Sequence, residues 1–330
     1  MPAALGRRRL VFLVTCALAL LLVGIAAAGN GGVAPPAPKS PNADRIRDSY
    51  WLILALSGAI FVVVEGALAV FVFRFRGRGR GREVEGPQIH GSTRLELMWT
   101  AVPVLLLVAI AGFVFYKLPG IQDVPKAQAG GERLNITVDA HQFYWQFDYP
   151  NGVVSIDELR VPTNRVVTLD IVSHDVDHSW WIPEFSGKFD AIPGETNHTW
   201  FRVSKPGTYR GQCGEFCGIF HAAMEARVIA APPAEFEQWL SSRTTAGLGR
   251  DEFRGACAKC HGFEGEGNYG PDLRNNPILT QRDNLEDVVT NGRGKMPPVG
   301  AGWSKEQLDA LYAYTSKQVF KGGGGTANGG

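Results

Sequence analysis

"GQCGEFCGIFHAAM", residues 211–224, carries two cysteines, a histidine and a methionine in one short run. Cys213, Cys217, His221 and Met224 are separated by three, three and two residues, so one compact loop can aim all four side chains inward. Thiolate, imidazole and thioether together are the donors that copper selects. Oxidation of the two cysteines to a disulfide is the rival in an exported protein. It explains two residues and leaves His221 and Met224 unused.

The flanks supply a frame. "RLNITVDAHQFYWQFDYP" (133–150), "RVVTLDIVSHDVDHSWWIP" (165–183), "NHTWFRVSKPGTYRGQC" (197–213) and "AMEARVIA" (223–230) alternate, are rich in β-branched and aromatic residues, and are separated by Pro and Gly turns. Strands at this spacing predict a β-sandwich or barrel over 130–232. Copper sites in such frames recruit a further histidine from a distant strand. His178, at the end of an apolar strand and followed by two tryptophans, is the best candidate, with His174 the rival. His141 and His198 read as surface or hydrogen-bonded histidines. Two thiolates, two imidazoles, a thioether and a loop carbonyl suit a pair of coppers bridged by both sulfurs.

Downstream the period changes. "PPAEFEQWLSSR" (232–243) is helical, and 233–249 reads as a helical linker. Residues 250–320 lack strand alternation and predict a small all-α domain. It contains "CAKCH" (257–261), the covalent haem c attachment pattern, in which Cys257 and Cys260 add to the haem and His261 is placed to bind iron. No second CxxC follows, which disfavours structural zinc. Methionines occur only at 1, 98, 224 and 296, which leaves Met296 as the sixth ligand. "GPDL" (270–273) resembles the cytochrome c loop whose proline carbonyl, here Pro271, accepts a hydrogen bond from the iron-bound histidine.

Upstream, residues 7–28 have the basic, apolar and small-residue regions of a signal peptide ending near Ala28, with an uncleaved membrane helix as the rival. Residues 29–49, Pro-rich and polar over 33–44, read as a linker. Two apolar runs, 51–73 and 97–116, are each long enough to cross a bilayer. The loop between them, 74–94, carries arginines at 74, 76, 78, 80 and 82 and is expected to stay in the cytoplasm. Everything after 117 then lies outside. Glu65 falls inside the first span, and Glu96 at the cytoplasmic edge of the second. The tail, 321–330, is expected to be disordered. The net charge of +1 offers no global reason to expect nucleic acid.

"HSWWIP" (178–183), "DAIPG" (190–194), "GQCGEFCGIFHAAM" (211–224) and "AHQFYWQFDYP" (140–150) resemble the signature blocks of subunit II of cytochrome c oxidase, across roughly 45–243. With the haem motif, the whole chain resembles a haem-c-fused subunit II. The resemblance implies a transmembrane hairpin, a cupredoxin-like β-sandwich holding the dinuclear centre CuA, and a cytochrome c domain. It implies that Cys213 and Cys217 bridge the coppers and that His178 and His221 bind one copper each. Met224 and the backbone carbonyl of Glu215 complete the shells. The Glu215 carboxylate would reach a Mg2+ shared with subunit I, and Glu96 would mark the entrance of a proton path into subunit I. Implied partners are subunit I, subunit III, the plasma membrane, and an external donor such as a cytochrome c or a quinol–cytochrome c reductase. One departure stands out. The family's aromatic block reads His-Gln-Trp-Tyr-Trp, and its first tryptophan accepts electrons from soluble cytochrome c; here that position is Phe143. Trp145, two residues on along an expected strand, would share the face of Phe143.

The expected function is acceptance of electrons by a proton-pumping oxygen reductase. The alternatives are a CuA-containing subunit of a nitric oxide reductase, a membrane-anchored carrier without a catalytic partner, and a copper-storage or delivery protein.

Overall fold

The computed structural model describes residues 35–75, 88, 90–125, 133–243 and 245–322. The signal-peptide reading, four of the five loop arginines and most of the tail lie outside the described residues.

Residues 44–123 belong to one compact unit, and residues 35–43 with 124 onward to another. The first unit contains nearly all of α1 (Pro41–Phe75), together with α2 (Thr93–Lys117) and the short α3 (Pro119–Gln122). Both long helices are apolar enough to cross a membrane. Their large side chains, Phe61 and Leu105 among them, are exposed, as lipid-facing groups are. Lys117 pairs with Asp48 at 2.7 Å. Helix α1 starts at Pro41, inside the expected linker, because proline suits a first helical turn, where its missing N–H costs nothing.

The second unit contains ten strands among its described residues. They are β1 (Leu134–His141), β2 (Tyr144–Asp148), β3 (Val154–Ile156), β4 (Glu158–Pro162), β5 (Val167–Ser173), β6 (His178–Trp180), β7 (Phe189–Ala191), β8 (Asn197–Phe201), β9 (Gly207–Gln212) and β10 (Glu225–Ala231). One sheet runs β3-β2-β1-β5-β8, a second β4-β10-β9, and β6 pairs with β7. Alternate residues turn inward, as the two-residue period requires: Leu134, Ile136 and Val138 on β1, Val167, Leu169 and Ile171 on β5, and Ala226, Val228 and Ala230 on β10. This is the expected cupredoxin-like sandwich.

Five helices follow: α4 (Pro233–Ser242), α5 (Thr245–Glu252), α6 (Ala258–His261), α7 (Arg282–Asn291) and α8 (Lys305–Tyr314). A π-helical turn, Phe253–Cys257, joins α5 to α6. Such turns recur at functional sites. Ser304 and Gln307 cap α8 reciprocally, as their spacing predicts.

Strand β2 serves both parts. Trp145 and Phe147 face the sandwich core, while Tyr144 joins the helical core with Ile156, Phe253 and Trp303. The Tyr144 hydroxyl donates to the Val299 carbonyl and accepts from Trp303 Nε1 at 2.9 Å. Gln307 donates to Gln146 at 2.9 Å. At Gly255 any Cβ would come within 2.0 Å of Ile156, so only glycine allows the π turn to seat on β3.

Candidate metal centre and haem pocket

Strands β9 and β10 pair up to Gln212–Glu225, and the loop 213–224 hangs from their ends. Cys213 N–H donates to the Met224 carbonyl at 3.0 Å and closes it. Gly218 at φ 131° makes the turn that a side chain would resist, and a 3-10 turn carries His221. Gly214 N–H donates to Ser179 O at 2.8 Å, which ties the loop to β6, whose first residue is His178.

These ties bring the donors together. Cys213 Sγ lies 3.8 Å from His178 Nδ1 and 3.2 Å from the Glu215 carbonyl oxygen. Cys217 Sγ lies 3.6 Å from His221 Nδ1 and 3.7 Å from Met224 Sδ. The ligand atoms of His178, Cys213 and Cys217 fall within 4.8 Å of one another. His178, both cysteines and Met224 are buried. Trp145 stacks edgewise on His178 and Trp180 and walls off the site. Each of the four other expected donors thus lies within 3.8 Å of one of the two cysteine sulfurs, and the donor set fits copper.

The electrostatics suit a cation. The hydrogen bond with Cys217 drives the Cys213 thiol far down, while the same contact drives Cys217 up, so the sulfur pair holds one proton. Burial works against charging His178, yet Asp175 and Cys213 outweigh it and push it up to about 9. A metal would displace these protons.

The other histidines lie elsewhere. His174 Nε2 pairs with Asp139 at 2.9 Å, beside the buried His141, and His198 pairs with Asp170 at the surface. The Glu215 carboxylate is exposed, as are Glu65 and Glu96 on the long helices. Phe143 departs from expectation. It occupies the turn between β1 and β2, packs edgewise on Phe220 at 5.5 Å, and does not extend a strand towards Trp145.

Residues the sequence did not single out support the site. Asp175 accepts from His178 Nε2 at 2.8 Å and from Gln142 N–H at 2.6 Å. Gln142 Nε2 donates to the Cys217 carbonyl at 2.5 Å. A carboxylate three residues before His178 was the one available signal.

The second cluster lines a cavity of ≈ 1070 Å³ that includes Cys257, Cys260, His261 and Met296. His261 Nδ1 donates to the Pro271 carbonyl at 2.8 Å, the partner that "GPDL" suggested. That bond fixes the tautomer and leaves Nε2 as the free donor atom. Burial pushes the Cys257 thiol up to about 12 and raises Cys260 as well. The cavity, its largely apolar lining and the two cysteines at its wall fit a covalently held haem.

Comparisons with known proteins agree with this geometry. The family model described as cytochrome c oxidase subunit II, transmembrane domain, matches residues 32–116, and that for its periplasmic domain matches 153–231. A third, described as cytochrome c oxidase, cbb3-type, subunit III, matches 245–314 and marks a cytochrome c-type domain. The cytochrome c oxidase subunit 2 of Alkalihalophilus pseudofirmus is 31% identical over 84% of this chain and 88% of its own length. That of Cereibacter sphaeroides is 30% identical over 67% of this chain and 82% of its own. A crystal structure of the periplasmic domain of subunit II of cytochrome oxidase from Bradyrhizobium japonicum shares 36% identity, covers 36% of this chain and 95% of that one, and has a TM-score of 0.33. Two helices able to span a membrane, a periplasmic sandwich with a CuA-type cluster and a cytochrome c-type domain thus follow one another in a single chain. With relatives matched over most of their length, this chain belongs to the cytochrome c oxidase subunit II family.

Proposed function

We propose that the chain is the electron-accepting subunit of a respiratory haem–copper oxygen reductase. When bound, haem c and CuA would supply reversible one-electron chemistry, and the chain would hold them between an external donor and subunit I, where oxygen would become water with proton pumping. The carrying observation is the wall of the haem cavity. Gly218 and Ile219 of the copper loop line it together with Cys260 and Met296.

The roles divide by chemistry. Cys213 and Cys217 would hold the copper pair with their thiolates and His178 and His221 with their imidazoles, and Met224 and the Glu215 carbonyl would complete the donor set. Cys257 and Cys260 would hold the haem covalently, and His261 and Met296 would bind its iron, a pair that would raise the potential relative to two nitrogen ligands. The Glu215 carboxylate, free of the loop's own hydrogen bonds, would hold Mg2+ against subunit I. Glu96 would open a proton path there. Subunit III and a cytochrome c or quinol–cytochrome c reductase complete the partners. The setting is the plasma membrane, with both redox domains on the extracytoplasmic side.

Purification of the membrane complex tests this reading. Co-purification of a catalytic subunit, with consumption of oxygen rather than nitric oxide, supports it. A chain that purifies alone with both centres intact, or a complex that consumes only nitric oxide, overturns it.

A further inference from the structure

We infer that Lys259 is a positioning residue for electron transfer, clamping the haem-attachment turn onto the edge of the copper loop. The inference rests on the relay proposed above. Lys259 lies between the two cysteines of "CAKCH", yet its ammonium group points out of the helical part and into the sandwich. Lys259 Nζ donates to the Phe143 carbonyl at 2.7 Å and pairs with Asp157 Oδ2 at 2.9 Å, partners 116 and 102 residues distant in sequence. The two side chains are only 20% and 18% exposed, which separates this pair from a solvated surface contact.

Both acceptors are themselves held. Asp157 sits at φ 59°, a left-handed conformation that aspartate tolerates better than most residues. Its N–H donates to the Trp145 carbonyl at 2.7 Å, and its Oδ1 accepts from Trp145 N–H at 3.0 Å. Oδ2 is thereby presented to Lys259. Phe143 follows Gln142, whose side chain donates to the Cys217 carbonyl. A Cβ at Gly218 would come within 3.0 Å of the Phe143 ring, so that ring lies directly on the copper loop. The dipeptide 142–143 therefore touches the copper loop through Gln142 and the haem turn through the Phe143 carbonyl.

The transfer moves one electron, supplied by an external one-electron donor, and no atoms. The chain's contribution is then distance and orientation. A largely shielded, doubly accepted ammonium fixes both more firmly than apolar contact does. It also gives position 143 a use that phenylalanine serves as well as tryptophan, since the bond is made by the backbone carbonyl.

The test uses the assembled complex with Lys259→Met, Lys259→Arg, Asp157→Asn and the double variant Lys259→Met/Asp157→Asn. Two quantities are read: the rate of electron arrival at CuA after rapid reduction of haem c, and the relaxation of the CuA EPR signal by oxidised haem iron. The second depends on the distance between centres and needs no turnover. Lys259→Met and Asp157→Asn should each slow transfer roughly tenfold, as displacement of prepositioned partners does. Each should also weaken the relaxation, with both absorption spectra unchanged. Lys259→Arg should keep most of both, and the double variant should be no worse than either single one. If Lys259→Met impairs haem attachment, Asp157→Asn, outside the motif, decides. Wild-type rate and relaxation in Asp157→Asn would overturn the clamp alone. No transfer in the wild-type chain with both centres loaded would overturn the relay beneath it.

Discussion

Glu252 is fully buried at the end of α5, in front of the π turn that leads to the haem cysteines, and has no ion-pair partner among the described residues. Burial pushes its carboxyl from the ordinary 4.5 up to about 9; Gln307 opposes the rise and Asp251 adds to it. The folded state therefore holds a proton that the unfolded chain releases near pH 4.5. Stability must fall as pH rises between those two values, at about 1.4 kcal/mol per unit. At pH 7 the accumulated penalty is about 3 kcal/mol. Glu252→Gln keeps the shape and removes the titration. The variant should match wild type near pH 4.5, exceed it by about 3 kcal/mol at pH 7, and lose the slope between. Hydrogen exchange of α8 amides in the full chain, corrected for intrinsic rates, reads this local stability at each pH. An infrared carboxylic C=O band present at pH 7 in wild type and lost in the variant would identify the proton. A wild-type protein whose α8 stability rises from pH 5 to 8, or a variant with the wild-type slope, would show that Glu252 holds no such proton.

Three further substitutions probe the two centres and the contact between them. Asp175→Ala removes the acceptor of His178 Nε2 and of Gln142 N–H and should weaken copper binding by about 10- to 100-fold, read by competition with a chelator. Gly270→Ala places a Cβ within 2.6 Å of the His261 ring. It should break the bond to Pro271 and shift the haem absorption and potential, whereas an unchanged spectrum would show that the ring is not held there. Tyr144→Phe leaves the Val299 carbonyl and Trp303 Nε1 without their buried partner. It should cost about 1–3 kcal/mol, seen as faster hydrogen exchange over 299–303 with slower change elsewhere.

The copper loop was legible because its donors are local: spacing alone can aim Cys213, Cys217, His221 and Met224 inward. His178 needed only the inference of a frame with a second histidine. The CxxCH motif was legible for the same reason, and the structure brings Met296, singled out because so few methionines remained, to the wall of the same cavity. Long-range partners were not. Lys259 between two haem cysteines looks like any solvated lysine, and nothing local links it to Asp157. The strand pattern of "AHQFYWQFDYP" runs unbroken through residue 143, but Gln142 turns to reach Cys217 and Asp175, and the chain turns with it. From sequence Pro41 reads as part of the Pro-rich linker, because composition cannot distinguish a proline that opens a helix from one that prevents it.

The proposed function requires a two-copper centre and a covalent haem in one chain, in contact across β2 and the copper loop. Optical and EPR spectroscopy of the purified full chain tests it most directly. The expected result is a haem c spectrum that survives denaturation, together with a mixed-valence signal from one electron shared by two coppers. A single-copper signal, or haem that extracts freely into acidified solvent, would contradict it.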